Sequence, residues 1–131
     1  MFSDEHKAKC DELSNKLIGC AIEVHKNLGP GLIESTYESC LCYELSKSGI
    51  KYQRQPLVAL TYKDMKINDA FRLDINVENL VLIELKAVDD IPNIYRAKVK
   101  TYLKLTNQWL GLLMNFNVSL MKDGIERIVW G

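Results

Sequence analysis

Apolar residues recur at helical spacing near the start of the chain. Leu13, Leu17, Cys20, Ala21, Val24 and Leu28 fall on one stripe and predict a first helix over residues 11–28. Gly29-Pro30-Gly31 stops it, because Gly accepts left-handed backbone and Pro cannot continue a helix. A second helix is predicted from Glu34 to Lys47, with Tyr37, Leu41 and Leu45 on one stripe and Gly49 as its stop. The period then changes. Lys51–Arg54, Leu57–Tyr62, Lys66–Asn68, Phe71–Val77 and Leu80–Val88 read as short strands, with Lys63-Asp64 and Glu78-Asn79 as turns. Pro92 precedes a third helix over 93–105, and Trp109–Asn115 reads as a buried strand. Val118–Met121 and Ile125–Trp130 are expected to form a terminal hairpin around Asp123-Gly124. Helices, an antiparallel meander, a crossover helix and another strand predict an α/β sandwich around a mixed sheet.

Charge interrupts this pattern at one place. The run Leu80–Val88 is a buried strand by its apolar character, yet it carries Glu84 and Lys86, which share one face because strand side chains alternate. An unpaired charge there costs on the order of several kcal/mol, so something must hold it. A divalent cation is one candidate. Mg²⁺ takes hard oxygen ligands, and Asp74 and Glu84 can supply two carboxylates from neighbouring strands, with the Leu85 backbone carbonyl as a third oxygen. Lys86 is then placed to orient an attacking water and offset charge on a phosphate. The alternative is an Asp74–Lys86 or Glu84–Lys86 ion pair on a solvated sheet face.

Register separates the two readings. A two-residue turn at Glu78-Asn79 opposes Asp74 to Ile83 and puts the two acids on opposite faces. A three-residue connection (Val77 to Asn79), or a bulge, opposes Asp74 to Leu82 and brings it to the Glu84/Lys86 face. That odd connection or bulge is the expectation.

Composition narrows the remaining choices. The 131 residues suit one domain, 1–131, with residues 1–11 expected to form a flexible lead. Lys+Arg and Asp+Glu are equal at 17 each, so net charge names no partner. Its distribution does more: Ile91–Met121 contains no acid, and Arg96, Lys100 and Lys104 form one ridge of the third helix, suited to phosphate if a site lies beside it. No apolar run approaches the ~18–20 residues that span a membrane, and no signal-peptide core opens the chain, so a cytoplasmic setting is expected. Cys10, Cys20, Cys40 and Cys42 have neither zinc-finger nor iron–sulfur spacing and read as ordinary thiols. Gly29-Pro30-Gly31 lacks the P-loop pattern and reads as a helix–helix turn.

These residues resemble a known family. Arg72-Leu73-Asp74 followed by Ile83-Glu84-Leu85-Lys86-Ala87-Val88 is similar to the catalytic core of the PD-(D/E)XK nuclease superfamily. The segment from His25 to Tyr37 resembles the signature of the GxxExxY family within it, here Gly31, Glu34 and Tyr37. Further similarity lies in Tyr43-Glu44-Leu45, Tyr102-Leu103-Lys104 and Gly111–Phe116, so the resemblance covers residues 12–130. It implies a restriction-endonuclease-like core, a mixed β-sheet flanked by α-helices. It also implies a Mg²⁺- or Mn²⁺-dependent nuclease that hydrolyses phosphodiester bonds, in DNA before RNA.

Carried over residue by residue, Asp74 and Glu84 are metal ligands, Lys86 is the catalytic lysine and Glu34 joins the metal shell. His25, Gly31 and Tyr37 match signature positions. Related nucleases often carry Gln four residues before a Tyr on the crossover helix. Here Lys98 precedes Tyr102 as the substrate-side pair, and Lys cannot accept a hydrogen bond as Gln does. The alternative expectations are a catalytically weak nuclease-fold module that binds nucleic acid or a protein partner, and an interaction protein whose charges merely pair. Small size favours a homodimer or a protein partner for double-strand cleavage.

Overall fold

The computed structural model describes residues 1–131. Helix α1 runs Asp4–Leu28, so it begins well before residue 11 and most of the expected lead is helical. Ser3 caps it by accepting the His6 N–H at 3.0 Å, and Asp4 and Glu5 lie at the positive end of the helix dipole. Two contacts hold this extension: Phe2 meets Trp130 edge-on at 6.0 Å, and the Lys7 amine lies 5.5 Å over Trp109. Helix α2 spans Glu34–Lys47, as its periodicity predicts.

The strands are β1 (Tyr52–Arg54), β2 (Leu57–Tyr62), β3 (Met65–Arg72), β4 (Ile75–Val77) and β5 (Val81–Lys86). Helix α3 (Asn93–Thr106) crosses over to β6 (Leu110–Asn115), and β7 (Ile125–Val129) closes the chain. The main sheet has the order β1-β4-β5-β6-β7, with β5 and β6 parallel and the other neighbours antiparallel. The right-sized connection for a parallel pair is a helix, and α3 supplies it.

Two expectations are corrected. The middle strands do not form a continuous meander, since β2 and β3 pair only with each other as a separate hairpin inserted between β1 and β4. Pro56 and a left-handed Gln55 (φ 52°) turn the chain out of β1. On the return, Leu73 N–H donates to Pro56 O and Gln55 N–H to Asp74 O. This clasp breaks the expected strand Phe71–Val77 in two. The expected terminal hairpin is also absent: Met121–Gly124 is a 3-10 turn, and β7 pairs with β6 instead. A Cβ on Gly124 would stand 2.1 Å from the Asn115 carbonyl oxygen, so Gly there serves a close backbone approach rather than a hairpin bend.

Alternation along β5 divides the core in two. Val81, Ile83 and Leu85 pack into the large cluster with Leu17, Ala21, Val24, Tyr37, Leu41 and Leu45 of α1 and α2. Leu82 points the other way, into a smaller cluster with Val99 and Leu103 of α3, Leu73, Leu113 and Ile128. Glu84 and Lys86 share the parity of Leu82 and so belong to the α3 side, where the apolar layer is thinnest.

Close contact between α3 and the sheet depends on Gly111. A Cβ there would come within 2.8 Å of Val99 Cγ1, and a β-branched side chain cannot swing away easily. Gly111→Ala is expected to lower the unfolding free energy by about 1–3 kcal/mol, the usual range for an overpacked core. A urea midpoint unchanged from wild type would show that α3 moves aside freely.

Candidate metal and phosphate site

The β4–β5 turn decides where the acids lie. Glu78 and Asn79 are both left-handed (φ 53° and 55°), as a tight hairpin turn requires, and Leu80 follows as an extra residue before the ladder resumes. The connection is therefore three residues, Glu78–Leu80, one position further on than expected. Pairs run Val77↔Val81, Asn76↔Leu82 and Ile75↔Ile83. Continued by one step, the register opposes Asp74 to Glu84 itself rather than to Leu82. The odd parity is as expected and the two acids face each other.

Backbone donors fix both carboxyls. Asp74 Oδ2 accepts the Leu85 N–H at 2.8 Å, and Glu84 Oε1 accepts the Asp74 N–H at 3.1 Å. One oxygen of each carboxyl is thereby anchored, and the other has no backbone donor. Glu84 is only 6% exposed and Asp74 is half-buried. Burial raises the Glu84 carboxyl from an ordinary 4.5 to about 8, and the Asp74 charge pushes it the same way. Burial likewise raises Asp74, against the pull of the Leu85 N–H. Two close carboxyls, both resisting ionisation through burial and sharing a side-chain hydrogen bond with each other, form a donor set suited to a hard divalent cation.

Lys86 is half-buried beside them, and its amine lies 4.2 Å from the centre of the Tyr95 ring. Glu34 is the first residue of α2, where the helix dipole favours an acid. Burial raises its carboxyl, the Lys86 charge lowers it, and Asp74 and Glu38 raise it again, so it stands within electrostatic reach of the pair. No three His, Cys, Asp or Glu side chains converge closely enough to enclose one ion. The side-chain oxygens that converge are those of Asp74 and Glu84, with Glu34 outside that pair.

Helix α3 presents Tyr95, Lys98 and Tyr102 to the same region, at i, i+3 and i+7. Lys98 lies 5.6 Å over the Tyr102 ring, which itself stacks on Phe71 at 4.8 Å. Partial burial lowers the Lys98 amine, but the Tyr102 hydroxyl and the Glu84 and Asp74 charges outweigh it and leave the amine raised. The basic ridge points elsewhere. Arg96 is engaged by Glu126 of β7 through a bidentate pair, at 2.6 and 2.5 Å. Lys100 lines the same surface as Arg96, Glu126 and Val129, and Lys104 is exposed. Lys98 and Tyr102 therefore approach the carboxylates, whereas Arg96 and Lys100 do not.

Tyr37, Gly31 and His25 hold the turn between α1 and α2. Tyr37 is fully buried; its hydroxyl donates to Gly29 O at 2.6 Å and accepts the Leu32 N–H at 3.1 Å, and its ring stacks on Phe116. Gly31 has φ 99°, which L side chains rarely adopt. His25 Nε2 lies 2.8 Å from Val118 O and ties the end of α1 to the segment after β6. These residues set where α2 begins, and so where Glu34 stands.

Sequence reasoning missed three contributors. Tyr95 carries the lysine contact, and its spacing to Lys98 and Tyr102 was a readable signal. Glu38, one turn after Glu34 and 3% exposed, receives Arg54 at 2.8 Å and Gln55 at 3.0 Å. It thereby fixes the residue whose N–H holds the Asp74 carbonyl. Asn115 accepts the Val88 N–H and donates to the Val88 carbonyl, which pins the strand just past Lys86. The last two depend on long-range pairing and leave no local trace.

The layered fold, with one acid just before β4, a second on the neighbouring β5 and a lysine two residues after it, defines a restriction-endonuclease-like domain. The family model for the PD-(D/E)XK nuclease superfamily matches residues 11–128, and the chain belongs to that superfamily. Its members generally use divalent metals. No curated protein and no solved structure matches the chain. No helix is long and apolar enough to cross a membrane.

Glu84 ties stability to pH. Its folded pKa lies above its unfolded value, so between pH 4.5 and about 8 folding takes up a proton and stability falls as pH rises. Below 4.5 the penalty is absent; above 8 it is complete. In metal chelator, Glu84→Gln should therefore be the more stable protein at pH 8, by on the order of 1–3 kcal/mol. The difference should shrink toward pH 4.5. Thermal melts at several pH values check this, and a gap independent of pH would refute it.

Proposed function

We propose that the protein is a Mg²⁺- or Mn²⁺-dependent nuclease that hydrolyses phosphodiester bonds of nucleic acid, DNA before RNA. The observation that carries this reading is the facing pair Asp74 and Glu84, anchored by backbone N–H groups, with Lys86 beside them. Membership of the nuclease superfamily supports it, and the preference for DNA follows the restriction-endonuclease resemblance.

Asp74 and Glu84 would hold the ion, joined by the Leu85 backbone carbonyl, with Glu34 as an auxiliary acid. Bound there, the cation supplies Lewis-acid polarisation of the phosphate and a water of lowered pKa. The chain's own groups do the rest. Lys86 donates hydrogen bonds to the attacking water or a phosphate oxygen and offsets negative charge that develops as the bond breaks. Lys98 presents a second ammonium from α3, and Tyr102 a hydroxyl, to position the substrate backbone. Each phosphate contact displaces counterions, so binding weakens as salt rises.

A second reading keeps one observation in its favour. Lys98 stands where related nucleases often carry Gln, and a donor-only amine is less able to orient a water. A catalytically weak module that binds nucleic acid, or a protein partner, would tolerate that exchange. Double-strand cleavage by so small a domain would call for a homodimer or a partner.

Two experiments test the proposal. Supercoiled plasmid should be nicked in Mg²⁺ or Mn²⁺, and Lys86→Ala should slow nicking by about 100-fold or more, the scale of a lost transition-state donor. Titration calorimetry should show Mn²⁺ binding that Glu84→Ala abolishes. Binding of DNA without nicking would favour the weak module, and absence of Mn²⁺ binding by the wild type would remove the metal-site reading.

A further inference from the structure

Lys86 poses a problem that its neighbours solve. The amine lies close enough to Asp74, Glu84 and Glu34 for its charge to act on all three. A flexible ammonium beside a buried carboxyl pair would ordinarily close an ion pair, because the pair lacks positive charge. Yet the three ion pairs of the protein are Arg54–Glu38, Arg96–Glu126 and Arg127–Asp11, and Lys86 takes part in none. Its amine instead sits 4.2 Å from the centre of the Tyr95 ring, the shortest of the four lysine–aromatic contacts in the molecule. At that distance the negative face of the ring attracts the cation well inside the usual limit of about 6 Å.

Tyr95 is itself well placed to act this way. It lies in the first turn of α3, half-buried, and packs against the small core cluster formed by Leu82, Val99 and Leu103. The loop before it is restrained as well. Asn115 clamps Val88, and the Phe116 N–H donates to the Lys86 carbonyl. Backbone on both sides of the contact is fixed, so only the lysine side chain chooses between ring and carboxylates.

Resting on the metal-dependent reading above, we infer that Tyr95 is a positioning residue. Its ring holds the Lys86 ammonium away from Asp74 and Glu84, so that both carboxyls stay open to a divalent cation while the lysine remains beside the reacting phosphate. Without the ring, Lys86 collapses onto the carboxyls and competes with the metal for them. What matters is the aromatic face and not the hydroxyl.

Mn²⁺ affinity, measured by calorimetry, provides the test. Tyr95→Leu should weaken binding by about tenfold, within the reach of a cation–π contact, and Tyr95→Phe should stay within about twofold of wild type. Adding Lys86→Ala to Tyr95→Leu should restore affinity to that of Lys86→Ala alone, because the competing ammonium is gone. Equal affinity in wild type and Tyr95→Leu overturns the inference. So does a loss in Tyr95→Phe as large as in Tyr95→Leu, or a loss that Lys86→Ala does not relieve.

A metal-free measurement stands beside it. The Lys86 ε-methylene protons should show an upfield ring-current shift that persists in Tyr95→Phe and vanishes in Tyr95→Leu. Absence of that shift in wild type overturns the contact itself. Failure of wild-type Mn²⁺ binding with the shift present would count against the metal site, and with it against the role assigned to Tyr95.

Discussion

A half-buried aspartate at the entry to one strand, facing a nearly buried glutamate on the next, is the constraint to which the surrounding structure answers. Like charges so placed cannot both ionise freely without compensation, and desolvation raises both carboxyls. The arrangement survives because the fold around it is over-determined. On one face of β5 the large cluster beneath α1 and α2 supplies most of the apolar burial. On the other, α3 is drawn onto the sheet at Gly111 and leaves the polar end of β5 beside its first turns. Most apolar burial lies in the first layer, and the charged groups gather at the margin of the second.

Parity is how the chain enforces the facing pair. Glu78 and Asn79 alone would make a two-residue turn and send Asp74 to the α1–α2 face, where it would meet Ile83 and a wholly apolar layer. The extra residue Leu80 reverses that with one position. The clasp from Gln55 and Pro56 then holds Leu73 and Asp74 just where β3 ends. Glu38, through Gln55 and Arg54, sets that clasp. A helix that contributes one acid to the vicinity of the site thus uses the acid one turn later to position another.

Much of this was legible in the sequence. Helices α2 and α3 and strands β2, β5 and β6 follow from apolar period and stop signals, which are local. The facing of Asp74 and Glu84 was readable as a parity requirement, although the partner of Asp74 lies two residues further along β5 than expected, because the connection is Glu78–Leu80 rather than Val77–Asn79. The start of α1 leaves no local apolar stripe, because it is held by Lys7 over Trp109 and by the preceding Phe2 against Trp130, more than a hundred positions away. The β2–β3 excursion and the pairing of β7 with β6 are likewise decisions between strands of similar local character. A ridge of lysines and arginine on α3 was visible, but which way it faced was set by Glu126. Periodicity tells which residues share a face of a helix; only tertiary partners tell what that face meets.

Charge balance around the pair gives Lys98 a physical meaning. Asp74, Glu84, Glu34 and Glu38 gather here against Lys86, Lys98 and Arg54, and Arg54 is already matched with Glu38. A glutamine at position 98 would leave one ammonium facing three acids. The lysine instead leans over Tyr102, close enough for Glu84 and Asp74 to raise its own pKa. It therefore lowers the cost of the buried acids in the metal-free state, which an amide cannot do. The same charge is repelled by a bound divalent cation and attracted by a phosphate. On the proposed nuclease reading, a lysine at this position would favour gripping a phosphate backbone over orienting a water, and would couple metal and substrate binding through one side chain.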